Sequence, residues 1–264
     1  MESISFDTIA PVYDATRITD EVSFKAALDY IVERFPPGKY PKLFEPGIGT
    51  GRIGIPLAER CYNVTGADIS VEMLKILESK LKTRKPSLPV TFIHKDITAL
   101  PFHDASFDLA VAVHIFHLIP QWKKAVNEVF RILRPGAPLI LMFTSSSVEA
   151  QAIKDRYREI AAEFGCSTRP VGANSVNDLP DYLAGLGRRI EHIRGRWIWR
   201  QHVRIDKNVA GLKAGYYSSS KLVPVDMHLK IMDRIELELK QKYGSLDIEV
   251  EEPAQIDLIL ALAV

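Results

Sequence analysis

The sequence predicts an α/β fold: a doubly wound, largely parallel sheet with helices on both faces and a helical insertion near its end. Three observations lead there. Short apolar runs alternate with amphipathic helical patterns from about residue 40 to 144, a glycine-rich turn closes the first of those runs, and an apolar run ends the chain.

Taken in order, residues 18–35 keep an approximate helical period through Val22, Ala26, Leu28, Ile31 and Phe35. Lys42–Glu45 reads as the first strand and Gly51–Arg60 as the helix after it. Tyr62–Ala67 is the second strand, and Ser70 is a candidate N-cap for a helix over Ser70–Thr83. Val90–His94 and Phe107–Val113 follow as strands. A helix over Gln121–Leu133 is stopped by Arg134-Pro135-Gly136, and Leu139–Phe143 is the fifth strand. Strands alternating with helices of this length point to βαβ units and a parallel sheet covered on both faces. Beyond them, Val148–Phe164 and Val176–Gly187 read as helices and Arg189–Gln201 as a long strand. Residues 205–243 are helical, most clearly Met227–Tyr243, and Gln255–Val264 is a buried strand. Residues 202–245 are therefore expected to be a helical insertion between the last two strands of a single domain.

Composition narrows the function classes. The chain of 264 residues carries a formal net charge of +1, without the basic excess that marks most nucleic-acid binders. Two cysteines, Cys61 and Cys166, make no disulfide framework and point to a reducing compartment. The first residues, Met1–Asp7, lack the basic start and apolar stretch of a signal peptide. No apolar run approaches the roughly 20 residues that span a bilayer. A cytoplasmic protein with neither a nucleic-acid nor a membrane partner is expected.

The chemistry is carried by Leu43-Phe44-Glu45-Pro46-Gly47-Ile48-Gly49-Thr50-Gly51-Arg52, at the end of the first strand. Its glycines let the backbone turn tightly and let a ligand approach atoms that a side chain would shield. A dinucleotide-binding turn would need its third glycine where Arg52 stands. The glycines run G-x-G-x-G instead, and Glu45 precedes them. A carboxylate there sits poorly beside a pyrophosphate, but it suits a ligand carrying an ammonium and a sulfonium. Asp68 ends the second strand at the roughly 20-residue distance that places an acid on ribose hydroxyls. Asp96 ends the third strand and is an apt acceptor for an exocyclic amine at the same edge of the sheet.

Together with several ordered motifs, these residues resemble the class I S-adenosylmethionine-dependent methyltransferases, and most closely the small-molecule branch that includes ubiquinone and menaquinone biosynthesis enzymes. The motifs are Phe6–Asp14, the glycine turn, Ala67–Leu74, Asp96–Phe102, Phe107–Ala110 and Val129–Gly136. The resemblance covers residues 6–144 and implies a Rossmann-like sheet of order 3-2-1-4-5-7-6 with strand 7 antiparallel. It implies S-adenosylmethionine as cofactor and a small-molecule methyl acceptor as partner. Glu45, Gly47 and Gly49 would hold the methionine amino group, with Gly51 allowing the loop to pack closely. Asp68 would bind the ribose, Ile69 and Met73 would flank the adenine, and Asp96 with the Ile97 amide would read its edge. His114 would lend a carbonyl to the methionine moiety. Residues 1–40 would form an N-terminal helical cover, with Tyr13 and Arg17 over the cofactor; a surface arginine is the competing reading of Arg17.

Methyl transfer leaves few residue requirements, because the sulfonium is already activated and positioning supplies much of the rate. His117, just past the fourth strand, is the candidate catalytic base; a structural histidine is the competing reading. His114 and His117 lack a third ligand, so no metal is expected. Trp197, Trp199, Tyr216 and Tyr217 read either as core or as an apolar acceptor pocket. The arginines at 188, 189, 194, 196, 200 and 204 read as a solvated face that discourages edge pairing, or as an anion-binding face. A sensor that binds the cofactor without transfer, and a nicotinamide-dependent oxidoreductase, are the alternative functions. A nucleic-acid enzyme of the same fold is disfavoured, because Val113-His114-Ile115-Phe116 replaces the Asn/Asp-Pro-Pro-aromatic motif of the amino-directed enzymes.

Overall fold

The structure, a computed structural model, describes residues 2–17, 20–84, 86–145, 148–173 and 178–263. After two 3-10 turns (Asp7–Val12 and Asp14–Thr16) come α1 (Glu21–Arg34), β1 (Lys42–Pro46), α2 (Gly54–Ala58), β2 (Asn63–Asp68), α3 (Val71–Lys82) and β3 (Val90–His94). Then follow β4 (Leu109–Val113), a 3-10 turn at Phe116–Leu118, α4 (Trp122–Ile132), β5 (Leu139–Thr144), α5 (Val148–Glu163) and α6 (Asp178–Gly185). The chain ends with β6 (Arg189–Arg204), α7 (Ile205–Lys213), α8 (Val225–Tyr243) and β7 (Glu249–Leu262).

The seven strands form one sheet in the order β3-β2-β1-β4-β5-β7-β6, with β7 antiparallel. Parallel registers pair Glu45 with Gly66 and Asp68 with His94, so the carboxyl ends of β1, β2 and β3 share one edge. Leu43 pairs with Leu109 and Val113 with Met142, which brings the ends of β4 and β5 to the same side. Ligands of such sheets bind there, where the strand order reverses.

The chain divides into two compact units. The first comprises Met1–Phe143, Val171–Trp197 and Ile256–Val264, and its core includes Phe44, Ala110, Val126, Val129, Leu139 and Leu141. The second comprises Thr144–Pro170 and Ile198–Gln255. There α5, α7 and α8 pack through Ile153, Ile160, Ile205, Leu212, Ile231 and Ile235. None of the described helices is long and apolar enough to cross a membrane.

Element ends moved for local reasons. Helix α2 is shorter than the Gly51–Arg60 expected, because Gly51 lies at φ +79° and Cys61 at φ +71°, both outside helical space. Helix α1 starts at Glu21, where the Asp20 carboxylate accepts from the Ser23 amide at 2.7 Å. Strand β7 begins at Glu249, ahead of the apolar run, through a segment of alternating exposure. The expected start of a helix at Val176 lies outside the described residues.

Inside the second unit, the Tyr157 hydroxyl lies 2.7 Å from His228 Nδ1, and His228 Nε2 lies 3.0 Å from the Lys213 carbonyl oxygen. That carbonyl can only accept, so Nε2 carries the ring proton and Nδ1 accepts from Tyr157. Tyr157→Phe should cost about 1–3 kcal/mol of unfolding free energy, because a buried acceptor loses its donor. Urea titration checks this, and an unchanged midpoint would contradict the assignment.

Candidate functional site

The turn after β1 is built by backbone conformation. Gly47, Gly49 and Gly51 have φ of +72°, +53° and +79°. A Cβ on Gly51 would lie 2.5 Å from Leu77 Cδ1, so this position needs glycine for both its backbone angle and its packing on α3. A Cβ on Gly49 would meet Asp68 Oδ2 and the Gly47 carbonyl at 3.9 Å, an ordinary contact, so at this position the demand for glycine comes from the backbone angle. The Gly47 amide donates to the Ala67 carbonyl at 2.8 Å, which fixes the turn to the end of β2.

Asp68 finishes that attachment. Its Oδ2 accepts from the Gly49 amide at 2.8 Å and its Oδ1 from the Ser70 amide at 2.8 Å. Each oxygen keeps acceptor capacity for a ligand hydroxyl. Burial raises the Asp68 carboxyl above its ordinary range despite those donors, and Asp7 adds to the rise. Glu45 is only 3 % exposed, and its Oε2 has no hydrogen-bond partner among the described residues. Burial, and then the charge of Asp68, push its carboxyl well above the usual range, while the Gly54 amide offsets part of the rise.

A buried acid, Glu45, and a half-buried one, Asp68, beside a glycine turn make an electrostatic deficit that a cationic, hydroxyl-bearing ligand relieves. S-adenosylmethionine fits that description, with its ammonium, sulfonium and ribose diol. A cation favours ionised Glu45, so its binding should release a proton and weaken as pH falls through the raised Glu45 range. Glu45→Gln should make this pH dependence shallower, because it removes one of the two titrating acids. Calorimetry across pH decides; an equal slope in wild type and variant would rule Glu45 out of the site.

The N-terminal segment crosses this crevice and is pinned by side chains. Ser70 Oγ lies 2.5 Å from Asp7 Oδ1, and the Glu72 amide donates to the same oxygen at 3.2 Å. Asp14 accepts from Thr50 Oγ1 at 2.6 Å and from Lys80 Nζ at 2.5 Å. The Arg52 guanidinium donates to the Arg17 carbonyl at 2.5 Å, and the Ile4 amide donates to the Leu118 carbonyl at 3.0 Å. The Arg17 guanidinium stacks over the Tyr13 ring at 4.8 Å. Asp7, Asp14, Thr50 and Lys80 were not singled out as site residues. Asp7 and Asp14 lie in the Phe6–Asp14 motif, but their partners stand far along the chain.

The other expected residues divide. Ile69 follows Asp68, and its carbonyl oxygen lies 3.0 Å from His94 Nε2. Met73 is buried at 3 % exposure in α3, so the core is at least part of its role. Asp96 is exposed and accepts from the Thr98 amide at 2.8 Å, which shapes the loop that carries the buried Ile97. Arg131 ties that loop down by donating to the carbonyls of Leu100 and Phe102 at 3.1 and 2.8 Å. After β4, His114 takes a left-handed φ of +47°, which aims the next residues back across the sheet edge. His114 and His117 rings lie 6.5 Å apart, and His114 meets Phe143 edge-on at 5.8 Å. Burial, and then the charge of Arg17, push the His117 imidazole down to about 4. Trp197 is core, edge-on to Tyr30 at 5.4 Å. No cluster of metal ligands occurs among the described residues.

Residues 44–141 match a family described as a methyltransferase domain. The demethylmenaquinone methyltransferase of Renibacterium salmoninarum is 32% identical over 188 residues, covering 70% of this chain and 74% of that protein. That of Thermus thermophilus is 33% identical over 146 residues, 52% of this chain, and the match spans 63% of its length. Among solved structures, YcgJ of Bacillus subtilis aligns over 90% of this chain and 98% of its own, with a TM-score of 0.61 and 16% identity. The [4+2]-cyclase SpnF aligns over 94% and 84%, with a TM-score of 0.55 and 20% identity. At those identities the structural likeness concerns the fold alone.

Proposed function

Because this chain belongs to the class I S-adenosylmethionine-dependent methyltransferases, we propose that it methylates a small organic molecule. The observation that carries the reading is the buried Glu45 carboxyl, its Oε2 without a hydrogen-bond partner among the described residues, at the head of a positive-φ glycine turn fastened to Asp68. A nicotinamide dinucleotide would set two phosphates against that acid, at a strong electrostatic cost. Glu45 and the turn hold the ammonium end, Asp68 takes the ribose hydroxyls, and Ile69 with the Asp96–Ile97 loop borders the base. Tyr13 and Arg17 close the crevice from the N-terminal segment, with residues 1–40 as cover and 202–245 as an insertion into one methyltransferase domain.

The bound cofactor supplies a methyl group on positively charged sulfur, which leaves as a neutral thioether. The protein must exclude water, hold the acceptor in line and take its proton. His117 is neutral at pH 7 because burial disfavours its charged form. It therefore offers a lone pair: the acceptor X–H bond breaks as X–CH3 forms, and the proton passes to the imidazole and then to water. Near-neutral overall charge argues against a nucleic-acid substrate, and two cysteines that make no disulfide framework support a cytoplasmic setting.

The test is a screen of quinols, phenols, amines and carboxylic acids with S-adenosylmethionine labelled in its methyl group. Label appearing in one acceptor, with equimolar S-adenosylhomocysteine, is the expected result. Tight cofactor binding with no transfer to any of them would favour a sensor.

A further inference from the structure

The loop that runs from β3 to β4 is tied at both ends. At its start the Lys95 amide donates to the Asp68 carbonyl at 2.9 Å, so the loop leaves from the backbone of the acid read as the ribose partner. Asp96 Oδ1 then accepts from the Thr98 amide at 2.8 Å, and Ile97 and Leu100 are buried in the core of the first unit.

Further on, the loop wraps around one side chain of α4. The Arg131 guanidinium engages all five of its N–H donors. Nη2 donates to the Leu100 carbonyl at 3.1 Å and Nη1 to the Phe102 carbonyl at 2.8 Å. Asp104 takes a third bond at 2.6 Å, and Glu128 takes the other two at 2.8 and 2.7 Å. Glu128 Oε1 also accepts from the Leu100 amide at 2.8 Å, so Leu100 is held by both its amide and its carbonyl. The bonds from Arg131 hold the Glu128 carboxyl below its ordinary range, so the pair is ionised at pH 7. The side chains of Arg131 and Glu128 are 33% and 16% exposed, which shields them more than an ordinary surface ion pair.

We infer that Glu128 and Arg131 set the base specificity of the crevice: their clamp on Leu100 and Phe102 holds Asp96 and the Ile97 amide where they read the edge of adenine. This rests on the reading that the Asp96–Ile97 loop borders the base. A carboxylate beside the exocyclic amine, and an amide N–H beside the neighbouring ring nitrogen, match donor to acceptor. Hypoxanthine reverses both, presenting an oxo group to the carboxylate and an N–H to the amide. That mismatch is felt only while the loop stays at hydrogen-bond distance, because such contacts weaken steeply with displacement. Arg131→Lys keeps the charge, but three donors without a planar fork cannot hold two carbonyls and two carboxylates together. Both residues act through the loop and are positioning residues.

Calorimetry of the 264-residue chain against S-adenosylhomocysteine and its deaminated analogue, S-inosylhomocysteine, tests this. Wild type should prefer the adenine form by about tenfold or more, the worth of one hydrogen bond to a charged group. Arg131→Lys should shrink that preference to within about threefold, and Glu128→Gln should shrink it by less. A general loss of stability would weaken both nucleosides alike and leave their ratio in place. Hydrogen exchange of the free chain gives a second readout. In Arg131→Lys the Leu100 amide should exchange at least about tenfold faster, while the Phe107 amide, bonded to the Ile132 carbonyl at 2.9 Å, stays within about threefold. The inference is overturned if wild type binds both nucleosides alike, if both variants keep the wild-type ratio, or if Arg131→Lys leaves Leu100 exchange unchanged. Should Arg131→Lys not fold, Glu128→Gln decides. Binding of neither nucleoside by wild type would sink the methyltransferase reading and this inference together, a result distinct from equal binding of both.

Discussion

Replacing Asp68 with alanine should lower the affinity for S-adenosylmethionine at least about 100-fold, the largest single-residue loss in the crevice. Two hydrogen bonds from ligand hydroxyls to an ionised acceptor are each worth about 1.5–3 kcal/mol, and about 2.7 kcal/mol already makes a hundredfold. The same change leaves the Gly49 and Ser70 amides without the acceptors they reach at 2.8 Å. The glycine turn therefore loses its fastening to β2 as well. Asp68→Asn keeps the shape and one oxygen, so its loss should be smaller, about tenfold. Calorimetry of both variants, with circular dichroism to confirm the fold, separates ligand contact from collapse. Near-native affinity in Asp68→Ala would mean that the ribose lies elsewhere.

The second large effect concerns turnover. His117→Ala should reduce kcat about 100- to 1,000-fold on the acceptor identified by the screen, the range expected when a positioned base is lost. Cofactor affinity should stay within about threefold, because no bond from His117 fastens the glycine turn. The sign of the pH dependence follows from the lowered imidazole. A base must be unprotonated, so wild-type kcat should hold on acidification past the ordinary histidine range and fall only as pH nears about 4. His117→Ala should lose that acid limb. A pH-rate profile checks both statements; an acid limb near 6.5 would show that His117 is solvated and does not serve in this form.

Much of the fold was legible because short β-type segments with apolar centres alternate with amphipathic helical patterns. Lys42–Pro46 and Leu139–Thr144 could be placed within a residue or so. Glu45, Asp68 and the glycines stood out because their chemistry depends on spacing within one βαβ unit. The N-terminal fastening was less legible. Asp14 meets Lys80 across 66 residues, and Ser70 meets Asp7 across 63, distances over which a sequence carries no spacing signal. Gly172, whose amide donates to the His117 carbonyl at 3.1 Å, was silent for the same reason. Its need for a missing side chain arises from carbonyls of the turn after β4, more than 50 residues earlier. Arg52 had a reading as a break in the dinucleotide pattern, and the structure adds that it holds the Arg17 carbonyl. Strand β6 ran to Arg204, past the Gln201 expected, because alternation of charged and aromatic residues masks a strand end.

The central claim is that an acidic glycine turn selects a cationic nucleoside over a dinucleotide. Its most direct test is calorimetry of the 264-residue chain against S-adenosylmethionine and NAD+ in the same buffer. Binding of S-adenosylmethionine, and of S-adenosylhomocysteine, without measurable heat from NAD+ is the predicted result. Binding of NAD+ with no response to S-adenosylmethionine would contradict it.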